Sequence, residues 1–375
     1  MLRTDRPSKA SRFLTGQHSA LFLATVLSLG GSPAAGEELY CGSYPHRVSM
    51  VKVKGGRVDW SAANGLIAYD RPGPDGIYYD VYVMSLDGTV DRCLTCGKKA
   101  LVPQRNNGNP AWHPSGNYIV FQSEVADSTA TPYASNPGRG INNVLWVTDP
   151  SGREFYRLTE LSTSDASSGV LHPHFSPDGT RLAWSEIYEG SVLQSGTISG
   201  HWRLVWADFV VGPDGRPRVQ NVQKVELRDP AFYETHGFSP DGSRLVFSSN
   251  LAQPGYMPIN NDIFLLDLGS FALTRLTDQR YNEHAHFFPD GQKIVWMTNK
   301  DIPSRGTDLW IMNEDGSGKE RLTFLNKWGC PEFVGVRVIA ADNSINAAGD
   351  KLLVFTHDQS SDYGSIMLVE LDRHP

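Results

Sequence analysis

The chain has 375 residues, 40% of them hydrophobic and 20% charged, with a formal net charge of −7. That is ample material for a core, and too long for one ordinary compact domain unless it is a repeat array. An acidic chain without a basic cluster argues against nucleic-acid binding.

Residues 1–36 differ from the rest. Arg3, Arg6, Lys9 and Arg12 precede an apolar run from Ala20 to Leu29, and small residues follow from Gly30 to Gly36. This is the layout of a secretory signal peptide cleaved near Gly36. The run is well short of the roughly 20 residues that span a bilayer, so no stable membrane insertion is expected after cleavage. Cleavage would remove those four cations and Asp5, leaving residues 37–375 at −10 in the periplasm or outside the cell. All four cysteines, Cys41, Cys93, Cys96 and Cys330, lie in the exported part. An oxidising compartment favours disulfides, and three pairings are possible. Half a zinc site at Cys93 and Cys96 is the alternative, but a second Cys pair at matching spacing is absent.

After position 36 no run of about 12 residues carries a 3.6-residue apolar period. A phrase recurs instead. In chain order its copies are Trp60-Ser-Ala-Ala-Asn-Gly65, Ala111-Trp-His-Pro-Ser-Gly116, His174-Phe-Ser-Pro-Asp-Gly179, Gly237-Phe-Ser-Pro-Asp-Gly242, His286-Phe-Phe-Pro-Asp-Gly291 and Ser344-Ile-Asn-Ala-Ala-Gly349. The first and last are degenerate. Their glycines are 51, 63, 63, 49 and 58 residues apart. Each turn leads into an apolar strand, such as Arg181–Ser185 or Arg244–Ser248. A second strand follows at 80–84, 143–147, 262–266 and 308–312, then another turn. An Arg-Leu-Thr strand closes the unit at Arg157, Arg275 and Arg321, with Arg92-Cys-Leu-Thr as a variant. Four short strands make one blade, so the expectation is an all-β, six-bladed propeller over residues 37–375. The tail Ser365–Leu371 lacks a closing strand after it. Arg47–Val53 can supply that strand and close the ring, removing exposed sheet edges. This closure brings the N-terminal segment to the last blade, so Cys41 is expected to pair with Cys330, and Cys93 with Cys96.

The Phe-Ser-Pro-Asp-Gly turn, with Arg-Leu-Thr at the blade end, resembles the TolB-type propeller repeat over most of residues 58–358. About 20 residues separate the expected cleavage site from the first blade, whereas TolB itself carries a separate N-terminal domain. The resemblance therefore implies a propeller of this repeat class, not TolB.

The histidines are grouped. His172 and His174 lead into the third turn, Glu234 and His236 into the fourth, and Glu283, His284 and His286 into the fifth. In a propeller that stretch enters the innermost strand, beside the central channel. Residues two apart on a strand share a face, so His172/His174 and His284/His286 are each expected to present two imidazoles to one space. Imidazole suits zinc, copper, iron and related metals. His172, His174, His236, Glu283, His284 and His286 are therefore candidate ligands for one divalent metal ion. The plainer alternative is polar residues that bond neighbouring loops. Leu171-His-Pro-His-Phe-Ser-Pro-Asp178 and Thr235-His-Gly-Phe-Ser-Pro-Asp241 resemble the metal-binding segments of oligogalacturonate lyases. That resemblance implies His172, His174 and His236 as ligands, and β-elimination on uronate sugars. Those lyases carry a Gln ligand three residues before His-x-His, where this chain has Gly169.

His113 takes the place of the repeat's Ser and is expected to be a turn residue. No Gly-x-Ser-x-Gly elbow is present. The loops Ser128–Gly140 and Tyr188–His201 are candidate ligand contacts. Two functions follow: a binding protein for a protein, peptide or glycan ligand at the channel mouth, or a metal-dependent carbohydrate-active lyase. Arg203 and Arg280 are conceivable proton-transfer helpers in the second.

Overall fold

The structure is a computed structural model that describes residues 40–42, 44, 46–161, 168–189, 193–194, 197–198, 201–229, 231–252, 260–278, 280–302, 306–358 and 364–372. The expected signal peptide lies outside the described residues. A first strand, β1 (His46–Val53), precedes the repeats. The first blade is β2 (Val58–Trp60), β3 (Ile67–Pro72), β4 (Tyr79–Met84) and β5 (Asp91–Cys93). The second is β6 (Asn107–Trp112), β7 (Ile119–Glu124), β8 (Asn143–Thr148) and β9 (Phe155–Arg157). The third pairs β10 (Gly169–Phe175) and β11 (Arg181–Glu189) with β14 (His201–Val211) and β15 (Pro217–Val225). A short hairpin, β12 (Leu193–Gln194) with β13 (Thr197–Ile198), is inserted there.

The fourth blade is β16 (Tyr233–Phe238), β17 (Arg244–Ser249), β18 (Asp262–Asp267) and β19 (Leu273–Arg275). The fifth is β20 (Asn282–Phe287), β21 (Lys293–Thr298), β22 (Asp308–Asn313) and β23 (Glu320–Arg321). The sixth runs β24 (Val338–Ile345), β25 (Lys351–Asp358), β26 (Gly364–Leu371), and its outer strand is β1. β1 lies antiparallel to β26 from His46 opposite Leu371 to Val53 opposite Ser365. The protein is thus an all-β six-bladed propeller whose last blade is completed by its first strand. Both expected disulfides are formed, Cys41–Cys330 and Cys93–Cys96.

The repeat motifs have identifiable tasks. In the fifth blade Arg321 donates to Asp308 at 2.6 Å, Thr323 Oγ1 donates to the same carboxylate at 3.1 Å, and Leu309 N donates to Thr323 Oγ1 at 2.9 Å. The fourth blade repeats this with Arg275, Thr277 and Asp262. The Arg-Leu-Thr strand is therefore stitched to the Asp that opens the strand before it. The turn Asp accepts from the residue after its glycine, as Asp178 does from Thr180 N at 3.0 Å. His113 is a turn residue as expected, with Nδ1 2.8 Å from Ser115 Oγ and Nε2 3.1 Å from the Gly179 carbonyl of the next blade.

The core is divided into six apolar clusters, each between two successive blades, and the sixth-to-first interface is among them. A ring with an apolar layer at every joint buries the facing inner strands of successive blades, while outer strands such as β19 stay exposed. The second and third blades meet at especially close range. Ile141 bridges to Gly169, and a Cβ on Gly169 would stand 2.0 Å from the Gly140 carbonyl oxygen. The Gln that the lyase resemblance would put at 169 has no room. Gly169→Ala is expected to cost about 3 kcal/mol, read as a lowered denaturant midpoint at unchanged slope.

Candidate metal centre

The inner strands β6, β10, β16 and β20 each carry a register break that ends five residues before the turn glycine, and β24 carries one that ends six before. A bulge inserts an extra residue and re-aims its side chain. Asn109, His172 and His284, seven residues before their turn glycines, sit there in the left-handed region with φ of 50°, 51° and 50°. Asn and His are among the residues that tolerate this conformation. In the fourth blade Gly237 takes the positive φ, 115°, and His236 is displaced by one position from the others. Simple alternation along a strand is therefore not what gathers these histidines, because the bulges interrupt it.

The bulges are held by a chain of hydrogen bonds around the ring. Asn109 N donates to Asp70 at 2.8 Å, His172 N to Gln122 at 3.1 Å, and Thr235 N to Ser185 at 2.8 Å. Thr235 Oγ1 returns a bond to the His172 carbonyl at 2.7 Å. His284 N donates to His236 Nε2 at 3.1 Å, and Ser248 Oγ lies 2.5 Å from that same nitrogen. Asn343 Nδ2 donates to the His284 carbonyl at 2.8 Å, and Ser344 Oγ to Asp59 at 2.8 Å, which joins the sixth blade to the first. Each inner strand thus meets its neighbour at a defined height, which fixes where the side chains converge.

Five histidines converge on the axis. Ring centroids are 5.4 Å apart for His172 and His284, 5.9 Å for His172 and His236, 5.3 Å for His236 and His284, and 5.4 Å for His174 and His286. Nitrogens of His172, His236 and His284 lie within 4.8 Å of one another, and so do ligand atoms of Glu234, Glu283 and His284. All five of these residues are buried, whereas His174 and His286 are partly exposed. The six residues singled out from the sequence are therefore brought to one place.

Four further groups, Asp342, Tyr281, Asn261 and Arg57, complete the cluster. His172 Nε2 is 2.8 Å from Glu234, while Asp342 stands 3.7 Å from His172 Nδ1 and 3.6 Å from His284 Nδ1. Tyr281 Oη and Asn261 Nδ2 both donate to Glu283. Arg57 of the first blade is held by Asp70 at 3.5 Å, and its charge also acts on Asp342. Asp342 stands seven residues before Gly349, the position of His172 before Gly179, so counting back from each turn finds it. Arg57 sits one position earlier in its repeat, like Glu234 and Glu283. Arg203 is taken up by Glu186 at 2.9 Å and Glu226 at 3.2 Å. Arg280, also at positive φ, is exposed. Of the two expected ligand loops, Ser128–Gly140 is pinned by Asn106, and its Arg139 guanidinium lies 4.0 Å from the Tyr133 ring. Much of Tyr188–His201 lies outside the described residues.

The cluster divides its protons unevenly. Burial works against a charge on His172, but Glu234 and Asp342 outweigh it and hold its pKa above the ordinary value. Burial raises Glu234, and the charge on His172 more than reverses this. Burial and then the charge on Glu234 push Glu283 well above the carboxylate range. Burial also opposes charge on Asp342, yet His284, His172 and Arg57 draw it down to about 2. Burial, reinforced by neighbouring imidazolium charge, holds His174 and His236 well below the usual value and His286 down to about 4. Two carboxyls driven apart in this way are a recurrent mark of functional sites.

Among the described residues, four buried imidazole nitrogens have no hydrogen-bond partner: His174 Nε2, His236 Nδ1, His284 Nδ1 and His286 Nδ1. Buried polar atoms are nearly always paired, so four orphans in one cluster call for a reason. A borderline divalent ion takes such a donor set of imidazoles and carboxylates. Nitrogens on one ion at about 2.0–2.1 Å lie at most about 4.2 Å apart. Closure would draw the present set in by about half an ångström.

The class these observations define is a closed six-bladed propeller with an imidazole–carboxylate cluster on its axis. No family model matches the chain, and no curated protein does. Solved structures of the same fold do match. TolB from Acinetobacter baumannii is 17% identical with a TM-score of 0.52, over 84% of this chain and 65% of that one. An oligogalacturonate lyase in complex with manganese is 15% identical with a TM-score of 0.52, over 89% and 96%. A gluconolactonase from Xanthomonas campestris is 13% identical with a TM-score of 0.50, over 87% and 90%. At these identities the likeness is one of fold alone. This chain thus spans under two thirds of the TolB chain. Among the described residues no helix is long and apolar enough to cross a membrane, and the two disulfides fit an oxidising compartment.

Proposed function

We propose that this is an exported propeller, periplasmic or secreted, that holds one divalent metal ion on its axis and uses it to bind a carboxylate-bearing glycan. The observation that carries this reading is the set of unpartnered buried imidazole nitrogens beside Glu234, Glu283 and Asp342. His172, His236 and His284 would hold the ion, with Glu234 or Glu283 as a carboxylate ligand. When bound, it supplies positive charge that attracts a ligand carboxylate and acidifies the adjacent C–H. Arg57 adds a fixed positive charge on the first-blade side of the channel.

A second reading makes the same centre a lyase. The observation favouring it is the outer pair, His174 and His286, kept neutral and partly exposed. A neutral imidazole there can take the proton from the carbon beside the carboxylate. The freed electron pair forms the new C=C bond, the C–O bond to the neighbouring sugar breaks, and that leaving oxygen takes up a proton. The fold likeness to a manganese-bound lyase makes galacturonate oligomers the first ligands to try.

The test is calorimetric titration of the protein with galacturonate oligomers, with and without a chelator, followed by ultraviolet absorbance. Binding that disappears with the chelator is expected. New absorbance from an unsaturated product selects the lyase reading, and binding without it selects the binding protein. Equal affinity in the presence of chelator contradicts both.

A further inference from the structure

The chain carries a second built surface, at the outer strand of the fifth blade. A cavity of about 600 Å³ opens beside the outer strand of the fifth blade, walled by Tyr40, Phe324 and Trp328. Trp328 is 82% exposed, more than any other large apolar side chain among the described residues. Such exposure on a floppy loop means little, but this loop is fastened. Cys330, two residues on, is bonded to Cys41. Glu332 meets His46 of β1 at 2.6 Å and accepts from Phe324 N at 2.7 Å. Leu325 N donates to Asp308 at 2.8 Å. An indole presented on a tied loop loses little conformational freedom when a ligand covers it.

The surrounding charge is opposite to that of the chain. Four cations, Lys319, Arg321, Lys327 and Arg337, face the cavity against two acids, Asp301 and Glu320, on a protein of net charge −7. Arg321 is already paired with Asp308. Lys327 lies over the rings of Phe324 and Tyr40 at 5.4 and 5.9 Å. Aromatic walls with cations at their edges suit a ligand with flat apolar faces and anionic substituents. A pyranose ring bearing carboxylate or sulfate has both. A peptide adding to the sheet is disfavoured, because β23 offers only the two residues Glu320–Arg321.

We infer that this face is a separate binding site for an acidic glycan, stacked on Trp328 and held by Lys327 and Arg337. The test is titration of tryptophan fluorescence, and calorimetry, with three probes: a galacturonate or sulfated oligosaccharide, a neutral glucan of equal length, and poly-glutamate. The acidic glycans are expected to bind, with affinity falling as salt rises. Trp328→Ala is expected to weaken that binding at least tenfold, and Arg337→Ser several-fold. A chelator, or loss of the axial histidines, is expected to leave this component unchanged, which separates it from the axial site. Binding undiminished in Trp328→Ala overturns the inference. So does poly-glutamate binding as tightly as the glycans, or a dimer that Trp328→Ala dissolves.

Discussion

Replacing both His172 and His284 by Asn is expected to abolish stoichiometric divalent-metal binding while leaving the propeller folded. Asn is the informative substitution because both positions require a left-handed backbone, with φ of 51° and 50°. Asn109 already occupies the corresponding bulge of the second blade at φ 50°. Ala would add strain to the loss of the ring, and the two effects would be confounded. His284 belongs to both candidate ligand trios, and His172 adds a second nitrogen. Each single change is expected to weaken binding by about 100-fold. The pH dependence has a definite sign. His172 holds its proton above the ordinary imidazole range because Glu234 and Asp342 favour it, despite burial. An incoming ion must displace that proton, so affinity falls by about tenfold per pH unit below the raised pKa, with proton release on binding. Calorimetry in two buffers of different ionisation enthalpy checks this. Unaltered binding in the double variant would remove the centre.

The second large effect concerns the closure of the ring. Cys41 and Cys330 are 289 residues apart in sequence. Chain entropy alone makes such a cross-link worth about 5 kcal/mol, and more for long loops than short ones. Cys41→Ser with Cys330→Ser is therefore expected to cost several kcal/mol in denaturant unfolding. Cys93 and Cys96 are only three residues apart, and losing their bond is expected to cost about 2 kcal/mol or less. Deleting residues through Val53 removes the strand paired along β26 and exposes that edge. Aggregation or failure to fold is the expected result. The opposite ranking of the two disulfides would mean that the ring does not rely on its N-terminal strand.

Much of this was legible in the sequence for a simple reason. Tight turns need Gly at positive φ, and Gly179 and Gly242, at 74° and 70°, mark the repeat wherever they fall. Spacing between such turns sets the blades, and a tail short of one strand points to the partner that completes it. The histidine cluster was visible because its members stand at fixed distances from those turns. Asp342 was missed, although the sixth turn was recognised, because no histidine stands in the stretch before it, and histidines were what marked the other entries. The bulges were invisible too. They depend on acceptors in the preceding blade, Asp70, Gln122 and Ser185, which only the assembled ring brings near. His236 shows what this hides. Its Nε2 accepts the His284 amide with Ser248 Oγ 2.5 Å away, so in the neutral ring Nδ1 carries the proton and binding an ion requires that bond to be given up. Trp328 gave no signal, since nothing local marks its loop as tied down from Cys41 and His46.

In the proposed function the axis of this propeller is a site for a divalent cation. Metal analysis of the purified protein, before and after incubation with manganese or zinc and desalting, tests it most directly. One ion per chain is predicted, falling to none in the His172→Asn, His284→Asn variant. Protein that retains no ion after exposure to either metal, with the five imidazoles intact, would contradict it.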